Sequence, residues 1–94
     1  MLDLATLTPE QFDPLVGQRF AVNGTADVLA LLDVARLKSP SPRTQPFALI
    51  FTSHTHRLAQ ATFRLARPAL GEIDVFLVPL HPDARGPLYE AVFT

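Results

Sequence analysis

Apolar residues along most of this chain recur at every second position, the spacing of strands that bury one face. Phe47, Leu49 and Phe51 share one face of 46–53, and 60–67 alternates through Ala61, Phe63 and Leu65. The stretch 72–80 starts with alternation and ends apolar on both faces, which predicts the most buried strand. At the end of the chain, 88–94 sets Tyr89, Ala91 and Phe93 against Glu90 and Thr94, with Val92 the exception on the outer face. Asn23-Gly24 is a hairpin signal after an extended run at 18–23, so 26–38 should be the returning strand. Its sequence DVLALLDVARL also places Val28, Leu31, Leu32 and Ala35 on one helical face; a bulge in a long strand reconciles the two patterns.

Before the strands stands one helix signal, Leu7-Thr8-Pro9-Glu10-Gln11-Phe12. Thr8 is an N-cap, Pro9 occupies the first helical position, Gln11 completes a capping box, and Leu7 can staple onto Phe12. Pro14 and Gly17 confine the helix to 9–16, from which Phe12, Leu15 and Val16 should cover one end of the core. The expected architecture is mainly β: about six antiparallel strands in a barrel or sandwich with one short N-terminal helix, in a single domain spanning 1–94. The loop Ser39-Pro40-Ser41-Pro42-Arg43-Thr44-Gln45-Pro46 should be its most mobile stretch. With Pro68 to Gly71 as a four-residue connection, Arg67 should face Glu72, Leu65 should face Asp74, and Phe63 should meet Phe76 inside the core.

At 94 residues and 10.3 kDa, scaling laws put the folded surface at roughly 5,400 Å²,. The lack of cysteine excludes a disulfide scaffold, thiolate zinc sites and a thiol nucleophile, and suits a reducing compartment,. Asp3 stands where a secretory signal would be basic, and the longest stretch without a formal charge, Thr44 to His56, is too short and polar to span a bilayer. A cytoplasmic protein that engages no membrane is expected. Charge is segregated: 1–33 carries five acids and one Arg (net −4), 34–71 six bases and no acid (+6), and 72–94 four acids and one Arg (−3). In an antiparallel sheet the middle of the chain lies beside both ends, so cross-strand ion pairs are expected, and not a nucleic-acid surface.

Candidate chemistry is sparse. His54-x-His56 has two imidazoles on one strand face, the start of a metal site, but Gln60 occupies the position where a cupin-like pattern would place a carboxylate, and His81 is the remaining histidine. Ser53 lies in no nucleophile elbow. Glu72 and Asp74 form a two-apart carboxylate pair that more commonly faces arginines, and Gly71 and Gly86 are isolated, so no loop cradles a phosphate. No catalytic, cofactor-binding or metal-binding residue is therefore assigned, and no cofactor. What stands out is apolar excess, 48% of the chain with seven Phe, which together with open sheet edges points to a protein partner or a homo-oligomer,. The expected function is a non-enzymatic interaction or assembly module; the alternative is a small-ligand or metal-binding barrel using the His54/His56 turn.

Several stretches resemble a family of small uncharacterised bacterial β-rich proteins, a domain of unknown function. They are Gln60-x-Thr62-Phe63-x-Leu65, Pro68-x-Leu70-Gly71-Glu72, Phe76-Leu77-Val78-Pro79 and Tyr89-Glu90-Ala91-Val92-Phe93, with TPEQFDPLVGQRF and PFALIF earlier in the chain. The resemblance implies a mostly β fold and a loose link to phage-tail-like gene clusters, and it supplies no catalytic residue. Where that family often has His before the Pro-x-Leu-Gly turn, this chain has Arg67.

Overall fold

A computed structural model describes residues 7–25, 27–38, 46–53, 59–67 and 70–94. In chain order they form helix α1 (Pro9–Phe12), a 3₁₀ turn (Asp13–Leu15) and strands β1 (Arg19–Val22), β2 (Val28–Arg36), β3 (Phe47–Ser53), β4 (Ala61–Arg67), β5 (Gly71–Asp83) and β6 (Gly86–Phe93). All pairings are antiparallel, and the sheet closes on itself in the order β1-β2-β3-β6-β5-β4. The closing seam is short. Ala21 pairs with Ala66 and Val22 with Leu65, and the Asn23 N–H donates to the Arg64 carbonyl at 2.8 Å.

The entry helix obeys its capping chemistry. Thr8 has an extended backbone, its N–H donates to Gln11 Oε1 at 2.8 Å, and Leu7 and Phe12 both sink into the core,. Pro14 tightens the next three residues into a 3₁₀ turn, so α1 is only four residues long,. Phe12 is fully buried and Leu15 packs on the core, but Val16, expected to cover it too, is 44% exposed and not part of it.

The Asn-Gly hairpin joins β1 to β2, though not through a two-residue turn. Only Gly24 has positive φ (+80°), and the Thr25 N–H donates back to the Val22 carbonyl at 3.2 Å, the pattern of a type II turn within a longer loop,. Strand β2 carries the bulge. Leu31 pairs with Phe51 and Asp33 with Ile50, which leaves Leu32 as the extra residue,. That insertion resets parity, so Leu29 and Leu31 point inward before it and Val34 after it.

Two further expectations need correction. The β4–β5 hairpin pairs Arg67 with Gly71, not Glu72, because Gly71 adopts φ +95° and joins the ladder while the Leu70 N–H donates to the Arg67 carbonyl at 3.0 Å. A glycine in this conformation closes a three-residue loop. The one-residue slip puts Phe63 opposite Val75 and Leu65 opposite Ile73 on the inner face, and Thr62 opposite Phe76 outside,. Phe63 thus packs on the core as expected, whereas Phe76 is 51% exposed. Second, the most buried strand is β3, covered on both faces, and not β5, whose last five residues are all exposed.

Strand β5 also continues through the breakers His81 and Pro82. Leu80 pairs with Leu88 and Asp83 with Gly86, so one extra residue sits on β5 in a bulge,. The bent hairpin tip lies against β3, where Thr52 Oγ1 donates to the Pro87 carbonyl at 2.6 Å. Arg85 at the tip reaches Asp33 on β2 at 2.9 Å. Thr52 is therefore buried although it lies on the outer side of the barrel.

The interior is filled by side chains. At the helix end, Phe47 stacks on Phe93 (centroids 4.6 Å apart, planes within 4°) with Phe12 against both, and deeper in, Phe20 meets Phe51 edge to face at 5.6 Å,. The total exposed surface, 5506 Å², is ordinary for the mass,.

Candidate functional site

The residues that chemistry singled out in the sequence do not converge. His54 and His56 lie outside the described residues, as do Arg43, Arg57 and the Pro/Ser loop from Ser39 to Gln45. Gln60 is exposed before β4, and His81 is exposed on the bulged end of β5. Among the described residues no group of three or more His, Asp or Glu could hold a metal ion. Ser53 is buried at the end of β3 opposite Leu29.

Glu72 and Asp74 share the outer face of β5, but their partners differ. Asp74 lies opposite Arg64, whose Nε donates to Oδ1 at 2.8 Å and Nη2 to Oδ2 at 3.2 Å. That hydrogen-bonded guanidinium holds the Asp74 carboxyl below its ordinary pKa, so it stays ionised near neutrality and is a poor proton carrier,. Glu72 lies opposite Ala66.

The basic centre of the chain does pair with both acidic flanks. Arg36 on β2 forks onto Asp13 at 2.7 and 2.6 Å and reaches Glu10 at 3.1 Å, fastening the helical entry to the barrel,. Arg64 takes Asp74 from the other flank, and Arg85 bridges Asp83 and Asp33. The side-chain hydrogen bonds from Arg36 and Arg85 lower the Asp13 and Asp83 pKa values as well. These arginines are structural pins, each committed to a carboxylate.

Arg67 differs from them. Lying on the inward side of β4 at the helix end, it donates to the Arg19 carbonyl at 3.0 Å and to Gln18 Oε1 at 3.1 Å, and its guanidinium sits 6.0 Å from the Phe20 ring centroid,. Its Nε is buried without a partner. Beside it a shallow groove of about 360 Å³, open to solvent, is lined by Ala21, Ala66, Gly71 and Glu72. Arg67 also lines this groove.

The feature left over is a surface. On the outer side of β3, β6 and β5, Ile50 pairs with Glu90 and Glu90 with Val78, which puts one carboxylate between two apolar neighbours. Two residues along the strands in one direction stand Val92 (50% exposed) and Phe76 (51%), and in the other Leu80 (36% exposed) beside the buried Leu88. This patch is the apolar excess expected from composition, now located. Sequence reasoning missed Phe76 by placing it inside; the Gly71 in a Leu-Gly turn was the signal that would have set the register. The arrangement offers contact area and one charge, and no nucleophile beside a base.

No helix among the described residues is long and apolar enough to cross a membrane. The family described as Domain of unknown function (DUF6916) matches residues 7–93, every described element included. No curated protein and no solved structure matches the chain.

Proposed function

The chain belongs to that family of unknown function, so no relative supplies an activity, and we propose from its own surface that it is a non-enzymatic protein-interaction module docking through the outer face of β3, β6 and β5. The observation that carries this reading is the exposure of Phe76, Val92 and Leu80 together on one face of a small barrel,. Support comes also from the interior, where packed phenylalanines occupy the space a ligand-binding barrel would keep open,. The ion-paired arginines argue against a polyanion partner,. The setting we propose is a bacterial cytoplasm, in keeping with the lack of cysteine, and an assembly of the phage-tail-like kind that the family resemblance implies.

The test compares capture of partners by wild-type protein and by Phe76→Asp in cells that express it natively, with Arg19→Gln on β1 as a control of equal net charge change. A partner held by wild type and the control but lost by a folded Phe76→Asp supports docking through this face. Equal capture by all three, or none by any, would overturn it.

A further inference from the structure

We infer that the occupant of this face is a different protein presenting an apolar ridge with one Lys or Arg at its middle, and not a second copy of this chain. The inference rests on the docking reading above and adds the partner's chemistry to it. Glu90 is the observation. It is half-buried at the centre of the patch, with Ile50 and Val78 across the strands and Leu88 and Val92 along its own, and it makes no ion pair among the described residues. The other acids nearby are Asp74, already held by Arg64, and Glu72, which likewise makes no ion pair among the described residues. Among the described residues the unpaired charge on the patch is therefore negative throughout.

Covering this face removes water from Glu90. A carboxylate desolvated without a counter-charge is strongly penalised, so the covering surface must bring a cation to it. Arginine suits the position, since its stem adds apolar contact while its head forks onto the carboxylate. A second copy cannot do this isologously. A two-fold axis through the patch centre sets Glu90 against its own image, burying two like charges together. The same carboxylate that selects the partner thereby keeps the protein from pairing with itself.

Two measurements test this. In sedimentation equilibrium up to several hundred micromolar, wild type should be monomeric, and Glu90→Val should self-associate at least about tenfold more tightly. Adding Phe76→Asp to Glu90→Val should reverse the effect. In NMR titrations, n-butylguanidinium should give saturable shifts at the Val78, Glu90 and Val92 amides. Equimolar n-butylurea should give none there, and Glu90→Gln, which preserves shape, should abolish them. A wild-type dimer dissolved by Phe76→Asp would overturn the inference and leave the docking face standing, with a second copy as occupant. Glu90→Val remaining monomeric, or equal guanidinium shifts in Glu90→Gln, would remove Glu90 as the selecting group. Failure of docking itself shows separately, as partner capture indifferent to Phe76→Asp.

Discussion

Phe47 and Phe76 are the same residue in two opposite environments, and replacing each by Ala measures the inside-outside assignment directly. Phe47 has no exposed surface, and its ring lies 4.6 Å from Phe93 and 5.9 Å from Phe12. Truncating a buried Phe costs about 3–5 kcal/mol, and the loss of a stacked partner, about 0.5–1.5 kcal/mol beyond area, places this site at the upper end. A chain of this length is worth roughly 5–14 kcal/mol in all. With an unfolding entropy of about 0.2 kcal/mol/K, a loss near 4 kcal/mol lowers Tm by about 20 °C. Phe76→Ala gives up only the half of its ring that is covered, under about 1 kcal/mol. Urea melts of both variants decide the matter, with a Phe47/Phe93 double-mutant cycle to isolate the stacking. A loss below about 1.5 kcal/mol for Phe47→Ala, or above that for Phe76→Ala, would mean that the inside-outside assignment is wrong at that strand.

Thr52→Val keeps shape but leaves the Pro87 carbonyl without its donor, so stability should fall by about 1–2 kcal/mol, and hydrogen exchange should quicken at the Ala84–Arg85 turn; unchanged exchange there would show that the tip does not depend on this bond. Gly71→Ala meets no atom within 4 Å yet must hold φ +95°, which costs about 1–2 kcal/mol in thermal melts,; a neutral result would contradict the loop conformation. Asp13, Asp74 and Asp83 have folded pKa values below the ordinary carboxylate value of 3.8, so their contribution is full above that pH and disappears as pH falls through the lower folded values,. Tm should accordingly drop on acidification and drop less in the triple Asn variant, and parallel profiles would refute the assignment. Zinc, nickel or manganese should not raise Tm; a rise lost on replacing His54 and His56 by Ala would establish the metal-binding alternative.

Much of the fold was legible where a residue's conformational constraint is local. The capping box at Thr8–Gln11 and the strand alternation of β3 and β4 are written in adjacent residues, and the expected helix, six strands and antiparallel pairing are those observed. Parity across an insertion is less visible. In β2 the switch from Leu29 and Leu31 to Val34 mimics helical spacing because Leu32 bulges, and only the need for a hairpin partner argued otherwise. The β4–β5 register failed for a related reason. Whether Gly71 belongs to the loop or to the ladder depends on its φ, and one residue of slip exchanges every inward side chain for an outward one. The ion pairs could be expected from charge segregation and antiparallel geometry together, although the partner of each arginine depended on register and on the bend at Pro82.

Open strand edges, one of the two motives for expecting a partner, weaken once the barrel is closed. In its second half β5 pairs with β6 from Val78 to Asp83, while its ladder with β4 stops at Leu77. That stretch is the natural place for another chain to add as a strand, yet it contains Pro79 and Pro82, and a proline offers no N–H to an incoming ladder. The bulge after Leu80 twists what remains, and Arg85 ties the tip down to Asp33. Strand addition is thus blocked by the same residues that let β5 bend over β3. Side chains standing off the sheet are not subject to that block, and three exposed apolar ones, Phe76, Leu80 and Val92, stand around Glu90, while Val16 and Val28 lie elsewhere.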